Sequence, residues 1–427
     1  MSTAAQGIQR AFVIWVSGVR VADIDTLAEV EILREQGALV ELDPLPITGP
    51  QAQHYQLFSG RLPARFGFFD TLMPLCHLPQ WKQGIGSYEV AENHSGWDAA
   101  PKLLPDLLRA AGWTVEYEET TPAELVARVQ GLSQAAPILG TCHIVKCAPG
   151  TADQFTMSAS RREAIAQALC IAHSWTGEGG LLALLSDIQP ARVEHFVNVN
   201  NFLAEMGIIE RDEQSGLIDW PNSLAYYAGH GQLWINLLGR DPQGSVHPQS
   251  EYEEVRDTLV KGLPARLRDP KTGEPVIERV HRKEELYSGE YLFCAPDLVV
   301  IFKPGYVPSP ASARLDFDEA TFTRPAAGTL AMAGAHPSTL RGFLLASAPS
   351  LIPGTVLSEP ALLTSVVPSL LHALDVEYAG MDSQAVSGLF SPSYLETHPI
   401  HIGLRSQELS EEDEELIINR LRDLGYL

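Results

Sequence analysis

The sequence predicts an α/β fold: a mostly parallel central sheet with helices on both faces. Three observations predict it. Strand-like and helix-like stretches alternate through most of the 427 residues, as in a chain of βαβ units. The strand-like stretches, such as "AFVIWV" and "LLALL", are continuous apolar runs rather than alternating ones, which suits strands covered on both faces. No repeat, low-complexity segment or clean linker divides the chain. The expected organisation is one large domain over 1–427, with an irregular insertion near 61–96 and a loop-rich segment near 240–330.

The elements follow in order. "AFVIWVSGV" (11–19) is the first strand, and "IDTLAEVEILREQG" a helix stopped by Gly37, a residue that readily ends helices. "ALVELDPLPITGP" is a strand running into a loop, and "HYQLFSG" a short helix ending at Gly60. Residues 61–96 are rich in Pro, Gly and aromatics. "GWDAAPKLLPDLLRAAGWTVEYEETTP" reads as a helix, a glycine stop and a strand. "AELVARVQGL" is a helix and "APILGTCHIV" a strand. "SASRREAIAQALCIAHSW" is a helix opened by a capping serine. "GLLALLSD" is a strand and "VNVNNFLAEMGII" a helix. "GQLWINLLG", "PDLVVIFK" and "RGFLLAS" are later strands. "LLTSVVPSLLHALDV" and "SEEDEELIINRLRDLGYL" are closing helices. The acidic run of the last one suits the positive end of a helix dipole.

Composition narrows the function. Hydrophobic residues are 45% of the chain and charged residues 19%, enough to build a large core. The 53 acidic against 30 basic residues leave a net charge of −23. Nucleic acid is therefore not the expected partner, because phosphate backbones want a basic surface. A small anionic substrate remains compatible where a local positive field overrides the global one. Five scattered cysteines are not a disulfide framework. The N-terminus lacks the charged-then-apolar pattern of a signal peptide, and no apolar run reaches a membrane span. The expectation is a cytoplasmic protein with no membrane partner. The short "GEGG" at 177–180 is neither long enough nor placed correctly for a phosphate loop.

One feature points to chemistry directly. "LLALLSDIQP" ends a buried strand on Ser186 and Asp187. Carboxyl ends of strands are where α/β folds place their sites. Asp187 is a catalytic candidate there, and its other roles are to hold substrate or to cap a helix beginning past Pro190.

Two long segments, "WINLLGRDPQGSVHPQSEYEEVRDTL" and "RDPKTGEPVIERVHRKEELYSGEYLFCAPDLVVIFKPGY", resemble bacterial members of the type I phosphodiesterase/nucleotide pyrophosphatase family of the alkaline phosphatase superfamily. "FVNVNNFLAEMGII", with Asn198, Asn200 and Asn201 as scaffold hydrogen-bonders, and the C-terminal segment are similar to the same family. The likeness covers roughly 180–427 well and the earlier part loosely. It implies an alkaline-phosphatase-like fold and a site with two metal ions, usually zinc, held by aspartates and histidines. A Thr or Ser nucleophile attacks phosphorus while the metals clamp the attacking and leaving oxygens.

Residue by residue, the implied site is degenerate. The first-strand aspartate slot holds Ser17, a poor ligand for a dication. The nucleophile slot offers Thr48 before Gly49-Pro50, with a register two residues longer than the family's. Thr48 also suits a plain turn. The family's Ser-Asp-His-Gly reads Ser186-Asp187-Ile188-Gln189, so the aspartate stays and the histidine is gone. The late histidine is His336 in "MAGAHPSTLRG". The Asp-x-x-x-His slot has two alignments: His143 and Cys147, which share a face if a helix starts there, or Asp153 and Met157. His143, Cys147 and His336 are sound ligands for one zinc ion. As plain structural residues they are a partly buried histidine and a small hydrophobe. Lys146 neighbours this pair and is a candidate anion contact. His54, near Thr48, and His230 in "YAGHGQ" are candidates for acid–base work or substrate contact. Two readings follow. One is an enzyme with a remodelled site and at most one zinc, acting on a small phosphorylated, nucleotidyl or other anionic substrate. The other is a metal-free pseudoenzyme that keeps the fold for binding.

Overall fold

The computed structural model describes residues 8–44, 50–70, 72–74, 90–92, 101–134, 138–148, 157–331 and 333–400. The principal strands are β1 (Arg10–Val16), β2 (Ala38–Asp43), β3 (Thr114–Thr120), β4 (Thr141–Cys147), β5 (Leu181–Ile188), β6 (Ala225–Ala228), β7 (Gln232–Ile235), β8 (Ile277–Arg282), β9 (Leu298–Phe302) and β10 (Arg341–Ser347). The helices that matter below are α1 (Ala28–Gln36), α2 (Pro50–Ser59), α3 (Ala159–Thr176), α4 (Ser250–Arg266) and α5 (Val366–Ala373).

The central sheet runs β2-β10-β5-β1-β4-β3, extended past β2 by short strands at Thr355–Val356 and Ala361–Leu362. β3, β4, β1 and β5 are mutually parallel. β10 alone runs antiparallel, between β5 and β2. The fold is therefore α/β with a mostly parallel sheet. Both of its faces are buried. One packs Ala11, Val13, Trp15, Ile144 and Leu185 against α2 and α5. The other packs Phe12, Ile14, Val16, Val145 and Leu184 against α1 and α3. This is why these strands read as unbroken apolar runs: alternate residues enter two different cores.

"GQLWINLLG" and "PDLVVIFK" do not join that sheet. They pair in a separate antiparallel sheet, β6-β7-β9-β8, whose own core includes Tyr226, Trp234 and Phe302 under α4. The segment expected to be loop-rich thus carries a 17-residue helix and two of these strands. The serine predicted to cap α3 does so: Ser158 Oγ accepts from Arg161 N at 3.1 Å. The expected C-terminal helix, much of the 61–96 insertion, Thr48 and Asp153 lie outside the described residues. No described helix is long and apolar enough to cross a membrane.

Two local expectations are corrected. "HIVKC" is the end of strand β4, not the start of a helix. No helix begins past Pro190 for Asp187 to cap. The chain continues as short strands at Ala191–Arg192 and His195–Val197, and the next helix, Val199–Glu205, is capped by Asn198.

Candidate functional site

Sheet register assembles the site. Across the carboxyl end of the sheet, Glu119 on β3 lies opposite Lys146 on β4, Lys146 opposite Trp15 on β1, and Trp15 opposite Leu185 on β5. Two residues beyond Leu185, on the same face by strand alternation, is Asp187. Ser17, two residues beyond Trp15, ends β1. Gly18 then turns at φ 75°, a conformation that suits glycine. The turn is held on three sides. Ser17 N donates to Cys147 O at 3.2 Å, Gly18 N to Ile188 O at 3.0 Å, and Val19 N to Ser186 Oγ at 3.2 Å. A buried guanidinium completes it, with Arg161 Nη2 donating to Ser17 O at 2.7 Å.

α2 covers this end. His54 stacks on Trp15 with ring centroids 4.9 Å apart and on Phe58 at 5.5 Å. Lys146 Nζ sits 4.9 Å from the Trp15 ring centroid and bonds Glu119 Oε1 at 3.2 Å, and Tyr117 OH donates to that same oxygen at 2.7 Å. Ser17, Asp187, Lys146 and His54, separate candidates in the sequence, are thus grouped around Trp15. Trp15, Tyr117 and Glu119 are additions that sequence reasoning missed. The period-2 alternation of "TVEYEET" carries a signal for Tyr117 and Glu119, but only strand order places them beside Lys146.

The electrostatics combine deep burial with the charge of Lys146. Burial pushes the Asp187 carboxyl pKa up, opposed by Ser17, Trp15 and the charge of Lys146. Burial, seconded by Lys146, drives the His54 pKa down to about 3, so the ring is a neutral imidazole at physiological pH. Asp187 Oδ1 and His54 Nδ1 are buried and make no hydrogen bond among the described residues, while Trp15 Nε1 lies near the Asp187 carboxyl without completing a full hydrogen bond. An unsatisfied buried polar atom costs about 1–3 kcal/mol. These buried polar atoms, beside the Lys146 ammonium, are groups that a polar ligand would satisfy.

The implied metals do not fit these residues. A dication beside Asp187 would meet the Lys146 ammonium, and Ser17 supplies no carboxylate. Ile188 is turned away into an apolar cluster with Val193, Ala335 and Leu340. The proposed single-zinc set is not brought together either. His143 and Cys147 share the opposite face of the sheet from Lys146, but on a strand they stand about 13 Å apart (four residues at ~3.3 Å), too far for one ion. His143 is packed between Phe12 and Trp175, centroids 5.5 and 4.5 Å away, and burial lowers its pKa. Burial also pushes the Cys147 thiol up to about 11, against the pull of Arg161, so without a bound cation it is a neutral thiol at physiological pH. His336 has both nitrogens engaged, Nε2 with Glu278 at 3.0 Å and Nδ1 accepting from Ser338 N at 3.2 Å. Among the described residues no group of three or more His, Cys, Asp or Glu side chains converges as a metal site. His230 lies elsewhere, on the β6–β7 turn, paired with Asp70.

No protein-family model and no curated protein sequence matches the chain. Solved structures do. Murine ectonucleotide pyrophosphatase/phosphodiesterase 5, in an inactive variant in complex with AMP, superposes with a TM-score of 0.55 at 12% identity. The match covers 90% of this chain and 100% of that one. The human enzyme of the same name matches with a TM-score of 0.53 at 12% identity, over 92% of this chain and 100% of its own. At this identity the likeness is one of fold: a nucleotide pyrophosphatase/phosphodiesterase-like, alkaline-phosphatase-like architecture.

Proposed function

We propose that this protein is a divergent member of the alkaline phosphatase superfamily that binds a small phosphorylated or nucleotidyl anion at the Lys146 pocket and acts on it without an efficient two-zinc centre. The observation that carries this reading is the Lys146 ammonium, held between Glu119, Trp15 and Asp187 at the carboxyl edge of the sheet. Beside it are Ser17 and Asp187, which by the family resemblance occupy metal-ligand slots. The AMP held by the murine structural neighbour supports a ligand of this class.

In this reading Lys146 offers a point charge to a phosphoryl oxygen. Trp15 Nε1 donates a hydrogen bond, and neutral His54 offers a ring nitrogen as a hydrogen-bond partner. Thr48, by family resemblance, is the candidate nucleophile preceding α2. A single cation replaces two dications, and each lost stabilising donor of this kind costs about 10²–10³ in rate. Slow turnover is therefore expected. The second reading, a pseudoenzyme that binds without turnover, is favoured by Ser17 and Ile188 in two ligand slots.

The test is metal analysis of the purified protein alongside AMP binding and diester hydrolysis. The proposal expects substoichiometric zinc, AMP binding that Lys146→Met weakens at least tenfold, and slow hydrolysis insensitive to chelators. Binding without hydrolysis selects the pseudoenzyme. Two tightly held zinc ions, or AMP affinity unchanged in Lys146→Met, would sink both.

A further inference from the structure

The hairpin between β6 and β7 turns through Gly229-His230-Gly231. Both glycines have positive φ, 71° and 87°, which an L side chain resists. The turn is pinned by Gly231 N donating to Tyr227 OH at 2.6 Å and by Gly231 O accepting from Val300 N at 2.8 Å. His230 is thereby fixed in place, and its Nδ1 lies 3.1 and 3.0 Å from the two oxygens of Asp70. Asp70 is fully buried and belongs to the segment that follows α2.

A fourth wall comes from Gly334. Glycine is required there by its φ of 74° and by Pro308, 2.8 Å from where a Cβ would sit, and the His230 ring lies 3.8 Å from the same point. The next residue, Ala335, packs in the same cluster as Ile188 at the end of β5. The His–Asp pair thus stands where the second sheet meets the carboxyl edge of the first.

A purely structural ion pair accounts for Nδ1 alone. The carboxylate on Nδ1 fixes the ring and leaves Nε2 for another partner. Nε2 has no hydrogen-bond partner among the described residues, and the side chain is 25% exposed. Burial works against charging the ring, but Asp70 outweighs it and the His230 pKa is raised. Among the described residues, the titratable groups that feel Asp70 besides His230 include Tyr227 and Tyr287, whose phenols burial keeps protonated.

We infer that His230, clamped by Asp70, is an anion-contacting residue that presents a protonated Nε2–H to a phosphate or phosphodiester group of the ligand. This rests on the proposed small-anion reading and adds a second, pH-dependent cation to Lys146.

The test is calorimetric titration of the full chain with bis(4-nitrophenyl) phosphate, whose single charge is constant between pH 5.5 and 8.5. Wild-type affinity should fall as pH rises through the His230 pKa, above the usual 6.5. His230→Gln should lower affinity about tenfold at pH 6 and remove that step. Asp70→Asn keeps an acceptor for Nδ1–H but removes the charge, and should move the step to lower pH. Affinity and pH profile unchanged in His230→Gln overturn the inference, and if Lys146→Met still weakens binding, the Lys146 site survives. If His230→Gln fails to fold, an unmoved step in Asp70→Asn overturns it instead. A wild type that does not bind the diester overturns the inference and the small-anion reading together.

Discussion

Asp187 was the residue most exposed to two opposite readings, metal ligand or helix cap, and its surroundings support neither. It is a buried carboxyl with one unpartnered oxygen, no helix to cap and an ammonium in its field. Its folded pKa lies above that of the unfolded chain, so above that folded value the native state holds a charge it disfavours. The sign follows from linkage: this group makes stability fall as pH rises through the window between the two values. Asp187→Asn is therefore expected to raise Tm at pH 7, by about 1 °C per kcal/mol gained in a chain of 427 residues. The gain should shrink at pH 4, and thermal unfolding at the two pH values measures it. A loss of stability at pH 7 would mean that Lys146 pairs with Asp187 more strongly than burial penalises it.

At the scale of elements, β4 decides most of the site. Its 143–147 spacing suits a helical face and a strand face equally, because four is both close to 3.6 and a multiple of two. The consequences differ: one helical turn brings i and i+4 within reach of one ion, whereas a strand separates them by about 13 Å. The strand also turns Lys146 toward α2 and His143 toward α3, onto opposite faces. His143 then has two buried nitrogens without a hydrogen bond among the described residues. Replacing such a group by an apolar one of similar size is near neutral or stabilising. His143→Leu should leave AMP affinity and metal content unchanged and Tm unchanged or higher. A loss of bound metal in that variant would restore the ligand role.

At the scale of the whole molecule, the histidines set the acid limit of stability. His54 and His143 have folded pKa values below the ordinary 6.5, so the unfolded chain binds protons that the native chain refuses. Their contribution is present above 6.5 and is lost as pH falls. His230 has the opposite sign: its contribution is present below 6.5 and lost as pH rises through its raised folded value. Because the His54 value is about 3, this one residue should remove about 1.4 kcal/mol of stability per pH unit between about pH 6 and 4. His54→Phe preserves the stack on Trp15 and Phe58 and should flatten the urea-unfolding free energy over that range by this share. An unaltered slope would show that His54 is not buried as a neutral ring.

Sequence by itself determined the α/β class and the strands of the main sheet. Apolar runs long enough to fill two cores have few other folds available, so "AFVIWV", "LLALL" and "RGFLLAS" were legible as strands. Through Ser17 and Ile188 it also raised the expectation that two ligand slots of the resembled family are altered here. Tertiary structure alone decided which polar residues meet. Glu119, Lys146 and Trp15 are far apart in the chain and become neighbours only through the order β3-β4-β1. Asp70 and His230 are 160 residues apart and join only where the two sheets meet. Local propensity carries no information about strand order, which is set by the packing of whole faces.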